Sequence, residues 1–570
     1  MFQIRNKTVS AFALCAIAVF GLYGCGSDNI VDNGKDKEGQ EQELPKVLFT
    51  GGLGNEETKS RIGGVEDATK LDFVWTANDY KYFFVDLGSP QNTPVNWKAA
   101  KYMTPIEKDA GNEKIIKKAS FYYEDIPLTD QSYTYALRYV GGSNNPNQVR
   151  IKNIQKQTGD AGFADQLGEN GDCFIAYAYG WQRAYNVKKS DGTTFSPYIN
   201  YYFNPNGGYN YRGQSYQAGH KASYISFMVY NLKGEMKNTY ISQVKITADQ
   251  GINGTRPFSE AGIDLTSRPT SALNRSTRLE ISDGLSIAAN RADARKKAAV
   301  MVAFPGEYTN VKVEIKIFDP VSNVSVNIDR TYAKMKLEEG KNLPLYFSLD
   351  FPDFGQNFET YHMWGAKDYY WMPSSPLPTP HNWVITGGVG SIAAPAAPND
   401  VWPKEDTDTR WYEKDNFEVQ SGTVDYTSDV PKPNDASYIL TQDCYWDNTT
   451  AYVIDGHLFK GLLWMPKIIK GHSNAYDGND WSAASPSSGH EKTVKTGVHN
   501  VSGYFAVPAL GWWVDGALSN VGKEGRYWLW DCDPDDTDNN AYSVYFNSQK
   551  IIIQHDTPKK YGCLSMPKGN

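Results

Sequence analysis

Apolar and polar side chains alternate in short runs along most of the chain between residues 47 and 349. Alternation with a period of two over a few residues is the pattern of a half-buried β-strand. Clusters of Gly, Asn, Pro and Asp, which favour turns, separate the runs. The pattern predicts strands at Leu71–Trp75, Tyr82–Val85, Tyr224–Val229, Val244–Ile246 and Val311–Ile317.

One stretch between these runs has helical character. Ala and Arg recur with helical spacing from Ala288 to Ala299, which predicts a short helix. The crossover helices that a parallel sheet would need are missing from the pattern. The sequence therefore predicts a mainly β protein built from β-sandwiches.

Composition divides the chain near residue 350. Twelve of the fifteen tryptophans and seven of the eight histidines lie beyond that point, which indicates a different kind of module there. A length of 570 residues suits about three to four domains. We predict a signal peptide at 1–24, a flexible tether at 25–45, one sandwich at 46–215, a second at 216–350 and a C-terminal module at 351–570.

The charge balance bears on possible partners. The formal net charge is -8, and no segment concentrates basic residues on one face. Phosphate binding needs such a face, so the sequence argues against a nucleic-acid partner.

An export signal occupies the first residues. Arg5 and Lys7 precede an apolar run that ends at Leu22, and small residues lead to Cys25. The run is shorter than the ~20 residues that span a bilayer, which disfavours a transmembrane anchor. The segment resembles the lipobox of bacterial lipoproteins, which implies cleavage before Cys25 and acylation of that cysteine, for example with palmitate.

A polar segment follows the lipidation site. Residues 26–43 are rich in Asp, Glu, Lys, Gly and Gln and cannot bury a core, so we expect a flexible tether. Acidic residues directly after the cysteine resemble the surface-export signal of Bacteroidetes lipoproteins. That resemblance implies a location at the cell outer membrane, on the cell surface.

Four cysteines remain after the signal segment and the lipidation site are set aside. An exported protein can form disulfides, and four cysteines allow three connectivities. We expect Cys532 to pair with Cys563, because both lie in the terminal module. The four cysteines are Cys173, Cys444, Cys532 and Cys563.

The first 300 residues of the mature chain resemble the fimbrillin family, which builds the pili of Bacteroidetes. The resemblance implies two transthyretin-like β-sandwiches. Five matches occur in the family's order, and they are Phe73–Asp79, Ile154–Gln157 followed by Asp172–Ala178, His220–Phe227, Val300–Gly306 and Leu337–Leu343.

The end of the chain resembles a second family, the Fibrobacter-type major paralogous domain. This resemblance covers roughly residues 440 to 567 and implies an α+β fold of the C-type-lectin-like kind. It does not explain residues 351–440. The matching stretches are Phe505–Gly511, Gly525–Trp530, Asn540–Phe546 and Tyr561–Pro567.

The fimbrillin resemblance also implies a mode of assembly. In that family, cleavage after an arginine removes the lipidated leader with its first strand, and a strand from a neighbouring subunit fills the open groove. Here the candidate leader strand is Val47–Thr50, and the candidate cleavage lies between Arg61 and Ile62. The surrounding loop is polar and glycine-rich, as protease sites are, although it also fits an ordinary surface loop.

A stalk subunit must offer a spare strand to the next subunit. We expect the last apolar segments, Ala541–Phe546, Lys550–Gln554 and Tyr561–Met566, to be woven into the C-terminal module instead. This predicts a fimbrial tip adhesin that accepts a strand from another subunit. Its expected partners are other fimbrial subunits, the outer membrane through the lipid, and a glycan or protein on a host or bacterial surface.

Tryptophans in the terminal module are candidate ligand contacts. Trp512, Trp513, Trp528 and Trp530 could stack against sugar rings. The alternative, which we favour for most of them, is that they build the core of a loop-rich fold, because tryptophan is highly buried on average.

The sequence offers little support for a metal or cofactor. Asp531–Asp538 alternates carboxylates but lacks the glycine and the distal glutamate of an EF-hand loop, so we favour a solvated turn over a calcium site. Neither an HExxH nor a CxxC motif is present, which leaves zinc unsupported. We expect no cofactor.

The enzyme alternative is weak. Gly471–Ala475 imitates a nucleophile elbow, but residues 476–489 are too rich in Gly, Ser and Pro to form the helix that an elbow needs. The sequence leaves open whether a pair of carboxylates for glycoside hydrolysis exists, since the distance between the two groups depends on the folded structure. Three hypotheses remain: a pilus tip adhesin, a glycan-binding surface lipoprotein of a nutrient-uptake system that does not polymerise, and a hydrolase.

Overall fold

The computed structural model describes residues 75–569 with internal gaps. The gaps are residues 87–93, 109, 111–115, 123–132, 161–165, 181–186, 189–193, 196–207, 234–235, 237–238, 372–383, 386–391, 394–401, 428, 455 and 484–489. Every prediction for residues 1–74 lies outside the described residues. These are the signal peptide 1–24, lipidation at Cys25, the tether, the leader strand Val47–Thr50, the processing pair Arg61 and Ile62, and the first four residues of the predicted strand Leu71–Trp75.

The described chain is mainly β, as predicted. The strands before residue 221 are Phe83–Asp86 (β1), Trp97–Ala99 (β2), Tyr102–Lys108 (β3), Ile116–Tyr122 (β4), Tyr133–Val140 (β5), Gln148–Ile151 (β6), Ile154–Thr158 (β7), Cys173–Gly180 (β8), Val187–Lys188 (β9), Thr194–Phe195 (β10), Gly208–Tyr211 (β11), Gln214–Gln217 (β12) and Gly219–His220 (β13). The next group is Ser223–Asn231 (β14), Tyr240–Thr247 (β15), Gly254–Ser259 (β16), Gly262–Ile263 (β17), Ser276–Ser286 (β18), Ala298–Ala303 (β19), Gly306–Asp319 (β20), Val324–Leu337 (β21) and Asn342–Leu349 (β22).

Beyond residue 350 the strands are shorter at first and longer near the end. They are Val384–Ile385 (β23), Ile392–Ala393 (β24), Tyr445–Asp447 (β25), Tyr452–Ile454 (β26), His457–Phe459 (β27), Leu462–Pro466 (β28), Glu491–Thr493 (β29), Lys495–Thr496 (β30), Tyr504–Pro508 (β31), Trp512–Val514 (β32), Ala517–Ser519 (β33), Glu524–Cys532 (β34), Asn540–Asn547 (β35), Lys550–Pro558 (β36) and Leu564–Ser565 (β37). Helices among the described residues are short: α-helices Leu167–Asn170 (α1), Arg291–Ala294 (α2) and Pro433–Ala436 (α3), and 3-10 turns Asp79–Tyr82, Gly355–Thr360 and Ser437–Leu440.

Three sheets are stacked in the first half of the described chain. One has the strand order β13-β8-β5-β1-β2, the next β19-β14-β22, and the third β21-β20-β15-β18-β7. The middle sheet has a hydrophobic core on each face, so every residue of β14 is buried. For example, Phe227 points into the core shared with β20, whereas Met228 points into the core shared with β8. Because both faces of β14 are buried, the strand has few polar positions.

Strand β7 crosses from the first part of the chain into the third sheet. It pairs in parallel with β18 through five residue pairs from Ile154 to Thr158. Its two glutamine side chains then hydrogen-bond the open edge of β19 as a backbone would. Gln155 accepts from the Val302 amide at 2.9 Å and donates to its carbonyl at 2.7 Å, and Gln157 contacts Val300 and Ala298 in the same way. This glutamine clasp satisfies an otherwise exposed strand edge.

The predicted helix Ala288–Ala299 is wrong for most of its length. Only Arg291–Ala294 forms a helical turn, and Ala298 begins the strand β19. All six residues of β19 are buried between the sheets, where small and β-branched side chains pack closely. Burial therefore overrides the local helical preference of the alanines.

The C-terminal part has its own core and is joined to the third sheet through a hairpin. Sheets β30-β25-β28-β31 and β29-β36-β35-β34-β37 face each other across this core, which includes Leu463 and Val544. At the junction, the carboxylate of Asp319 at the end of β20 accepts hydrogen bonds from the His457 ring at 3.0 Å and the Leu458 amide at 2.9 Å. Asp319 is fully buried, so this contact excludes water. We call the contact of Asp319 with His457 and Leu458 the Asp319 joint.

The expected disulfide between Cys532 and Cys563 is absent, since both are free, buried thiols. The strand register gives the reason. Tyr527 of β34 lies beside Leu564, which places Cys563 near the start of β34, whereas Cys532 is the last residue of that strand. At roughly 3.3 Å per residue the two cysteines lie well beyond the ~7 Å that a disulfide can bridge.

Candidate ligand-binding site

The clearest candidate site is one face of the sheet that contains β34. Along this strand Tyr527 and Leu529 point into the main core, and Trp528 belongs to a smaller cluster on the opposite face. We call this second surface the tryptophan face and define it by Trp512, Arg526, Trp528, Trp530 and Tyr545. Alternation of side chains along a strand brings three of these residues to one side.

Two of the four predicted ligand contacts are core residues. Trp528 is fully buried, and its indole nitrogen donates to the His362 carbonyl at 2.9 Å. Trp513 is also fully buried, stacked on Tyr370 with ring centroids 5.8 Å apart and packed edge-on against Trp371 at 4.9 Å. Neither ring is accessible to a ligand, which corrects the prediction for these two tryptophans.

The other two predicted contacts lie at opposite ends of the tryptophan face and are only partly buried. Trp512 covers the Arg526 guanidinium, whose central carbon lies 4.8 Å from the Trp512 ring centroid and 5.0 Å from that of Tyr545. The two aromatic rings are 6.2 Å apart in an edge-to-face arrangement. Both contacts hold Arg526 in a fixed position by cation–π attraction.

At the other end, Trp530 packs against Tyr426, with ring centroids 5.4 Å apart. Tyr426 is 49% exposed, so this pair presents aromatic surface to solvent. Backbone hydrogen bonds fix Trp530 on both sides, from the Val419 amide to its carbonyl at 3.2 Å and from its amide to the Pro431 carbonyl at 3.0 Å. Arg526 and Trp530 are four positions apart in the sequence, which corresponds to roughly 13 Å along a strand.

Charged groups border the Trp530 end. Lys432 donates to Glu418 at 2.5 Å, and this hydrogen bond holds the pKa of Glu418 below its usual value. Asp531 is buried, with one carboxylate oxygen 3.9 Å from the Lys432 ammonium and no hydrogen bond to that oxygen from the described protein atoms. Burial raises the pKa of Asp531 to about 7.

A serine, a histidine and an aspartate also meet in this part of the chain. Ser565 and Asp425 both approach the same ring nitrogen, Nε2 of His362, at 3.3 and 3.4 Å, while Nδ1 faces the Thr360 carbonyl at 2.9 Å. A catalytic triad needs the serine and the aspartate on different ring nitrogens. The geometry therefore suits a structural contact between three segments. The other candidate nucleophile, Ser473, lies in an exposed loop.

Two carboxylates of the acidic turn Asp531–Asp538 form hydrogen bonds within the protein. Asp533 accepts from the Asp535 amide at 3.0 Å and contacts the His555 ring at 3.0 Å, and Asp536 accepts from the Asn539 side chain at 3.0 Å. Within the described ranges, no group of three or more His, Cys, Asp or Glu side chains is arranged to hold a metal ion.

The last segments of the chain are paired within the sheet, which confirms the prediction that they are woven into it. Strand β35 lies between β34 and β36, and β37 pairs in parallel with β34. The Met566 amide donates to the Trp528 carbonyl at 2.9 Å, and the Ile468 amide donates to the Lys568 carbonyl at 3.1 Å. These strands cannot leave without opening the core, so none of them is available for donation.

Three accessible residues of the site were not predicted from the sequence: Arg526, Tyr545 and Tyr426. Alternation within Gly525–Trp530 could have placed Arg526 on the side of Trp528 and Trp530. Tyr426 lies in residues 351–440, which no recognised pattern covers, so no sequence signal pointed to it.

The fold and the site define a mainly β protein with an aromatic and charged sheet face near its C-terminal end. Within the described part of the chain, no helix has the length and apolar character needed to cross a membrane. No protein-family model matches the chain, and no curated protein matches it.

The solved structures that are similar to part of the chain include two named "putative cell adhesion protein". The one from Bacteroides ovatus is 12% identical and has a TM-score of 0.28, with 54% of this chain and 93% of that chain covered. The one from Bacteroides fragilis is 9% identical and has a TM-score of 0.26, with 53% and 93% covered.

Proposed function

We propose that this protein is an adhesive subunit of a cell-surface fimbrium, positioned at its tip, and that it binds a glycan on the tryptophan face. The observation that carries the proposal is the pair of half-buried tryptophans, Trp512 and Trp530, fixed on a rigid sheet. Aromatic rings with an accessible face and a polar border suit the apolar faces and hydroxyl groups of sugar rings.

The polar border supports recognition of hydroxyl groups. At the Trp530 end, Glu418 offers acceptors and Lys432 offers donors beside the exposed ring of Tyr426. At the Trp512 end, the half-buried Gln554 accepts a hydrogen bond from Arg526. These groups come from different strands and loops of one packed module, so their spacing is largely preformed.

The tip position rests on two features. The strands from Asn540 to Ser565 are held in their sheet, so the module does not donate those strands to another subunit. The buried Asp319 joint connects the module firmly to the β20 sheet, which suits presentation of a ligand site on a stalk. Assembly itself would follow removal of the leader after Arg61, when a neighbouring subunit supplies the missing strand.

Glycan binding is tested with Tyr426→Ala and Trp512→Ala on an array of cell-surface glycans. Each variant is expected to weaken binding about tenfold or more, because each removes a stacking surface. The matched control is Leu273→Ala, which removes an apolar side chain that is 69% exposed in another part of the chain. Unchanged binding by both aromatic variants would count against a glycan site on this face.

The fimbrial role is tested by N-terminal sequencing of the protein from membranes and from sheared surface filaments. A filament form that starts at Ile62 supports assembly by strand donation. A form that starts at acylated Cys25 in every fraction contradicts assembly and supports the alternative, a glycan-binding surface lipoprotein of a nutrient-uptake system.

A further inference from the structure

A second aromatic surface of the C-terminal part lies on the sheet β30-β25-β28-β31. The strand register aligns one residue from each strand of this sheet. Tyr445 pairs with Lys495 of β30 and with Trp464 of β28, and Trp464 pairs with Ala506 of β31. Residues directly opposite each other in a sheet point to the same side. We call these four residues the cross-strand row.

The cross-strand row faces away from the core and is accessible to solvent. Trp446 and Leu463, which neighbour Tyr445 and Trp464 in their strands, belong to the main core, so alternation directs the two residues of the row to the opposite side. Three residues of the row are partly exposed, and Lys495 is exposed. A ligand can therefore reach the row at each of the four strands.

The two aromatic rings of the row are held in place. The indole nitrogen of Trp464 donates to one carboxylate oxygen of Asp447 at 3.3 Å, and the other oxygen of Asp447 accepts from the Thr449 amide at 2.8 Å. Tyr445 is stacked on the His499 ring, with ring centroids 4.0 Å apart. Side chains that are fixed in this way lose little rotamer freedom when a ligand binds.

Polar groups lie beside the aromatic surface. Lys495 donates to Asp443 at 2.5 Å, and the two side chains are 58% and 41% exposed. They offer donors and acceptors for hydroxyl groups next to aromatic rings, which suit the apolar faces of sugars. Because the two charges compensate each other, this border favours a neutral sugar over a charged one. At the other end of the row, Ala506 is too small to cover the Trp464 ring from its side.

The size of the row favours a glycan over a protein partner. Four adjacent strands span roughly 14 Å, at about 4.8 Å between neighbours, and the row is one side chain wide. A stable protein interface buries about 800 Å² on each partner, which is more than four side chains in a row can offer. A short oligosaccharide fits these dimensions, with one ring on Trp464 and the next toward Tyr445 and Lys495.

We propose that the cross-strand row is a second glycan-binding site, in which a neutral oligosaccharide stacks on Trp464 and hydrogen-bonds Lys495 and Asp443. The two large sheets of the C-terminal part enclose the core between them, so the row and the tryptophan face lie on opposite sides. The second site does not depend on the first. With both sites occupied, one molecule holds two glycan chains that leave it in different directions.

The test measures binding of the full-length protein to three neutral probes: N-acetyllactosamine, chitotetraose and mannotetraose. Trp464→Ala is expected to weaken binding of at least one probe about tenfold or more, because it removes the stacking surface. Lys495→Met is expected to weaken the same probe about threefold or more, because it removes a donor while keeping the length of the side chain. The control is Ile469→Ala, which removes an apolar side chain that is 48% exposed on the same module, and it should bind as the wild type does.

Thermal unfolding shows which variants are folded, and Lys495→Met decides the test if Trp464→Ala does not fold, since Lys495 is exposed. Wild-type binding in folded Trp464→Ala, or no binding of any probe, overturns the proposal. Binding that depends on Trp464 but goes to a protease-sensitive component of cell surfaces, with no binding of the three probes, also overturns it and indicates a protein partner.

The outcomes also distinguish this inference from the proposed function. Binding that only Trp512→Ala and Tyr426→Ala weaken overturns the second site and leaves the tryptophan face in place. Binding that only Trp464→Ala and Lys495→Met weaken supports the second site and counts against the tryptophan face.

Discussion

Replacing Asp531 by Asn changes a buried carboxylate into a neutral group of nearly the same shape. Burial raises the pKa of Asp531 from 3.8 to about 7, so the folded state favours the protonated form. Between about pH 4 and pH 7 the folded chain binds more protons here than the unfolded chain, and its stability falls as pH rises. At 1.36 kcal/mol per pKa unit, the buried carboxylate at pH 8 costs up to about 4 kcal/mol.

Asp531→Asn is therefore expected to be more stable than the wild type at pH 8, by about 2–4 kcal/mol, and to lose most of this dependence between pH 5 and pH 8. Urea unfolding followed by tryptophan fluorescence measures it, because twelve of the fifteen tryptophans lie beyond residue 350. The control is Asp556→Asn, an exposed position on β36. A variant that is no more stable at pH 8 and keeps the wild-type pH profile would refute the reasoning.

The remaining predictions concern a buried ion pair, the joint and the thiols. Arg138→Ala leaves Glu260 unpaired in a site where both side chains are buried, and should cost about 3–5 kcal/mol by circular dichroism in urea; a cost below about 1 kcal/mol contradicts this. Asp319→Ala should give the C-terminal part a separate thermal transition and open the β26–β27 hairpin to limited proteolysis, whereas an unchanged proteolytic pattern speaks against the joint. Free thiols predict no change in electrophoretic mobility on reduction and no labelling of Cys532 or Cys563 before unfolding; a mobility shift would indicate a disulfide.

Strand positions followed well from the sequence where one face of a strand is buried. Val311–Ile317 lies inside β20, and its alternate residues Val313, Ile315 and Ile317 are fully buried as the pattern requires. The alanine-rich segment before β19 could not be predicted in the same way. Its conformation depends on two sheets formed by distant parts of the chain, whereas helix propensity reflects only the residues of the segment itself.

The candidate site could be predicted only in part. Tryptophans at positions 512, 513, 528 and 530 are close in sequence, but whether a ligand can reach each indole ring depends on which other segments cover that ring. Trp528 is closed because the segment around His362 lies over it, whereas Trp512 keeps part of its ring open. The position of Arg526 between the rings of Trp512 and Tyr545 likewise depends on residues from other strands, so the sequence next to Arg526 could not reveal it.

The glutamine clasp has a mechanical consequence when the chain is pulled along β7. The five residue pairs of β7 with β18 lie side by side, so tension along β7 loads them in shear and they must fail together. The four amide contacts of Gln155 and Gln157 add resistance at the second edge. Tension along β7 would therefore be resisted at both edges of the strand at once, by its backbone pairs on one side and by its glutamine side chains on the other.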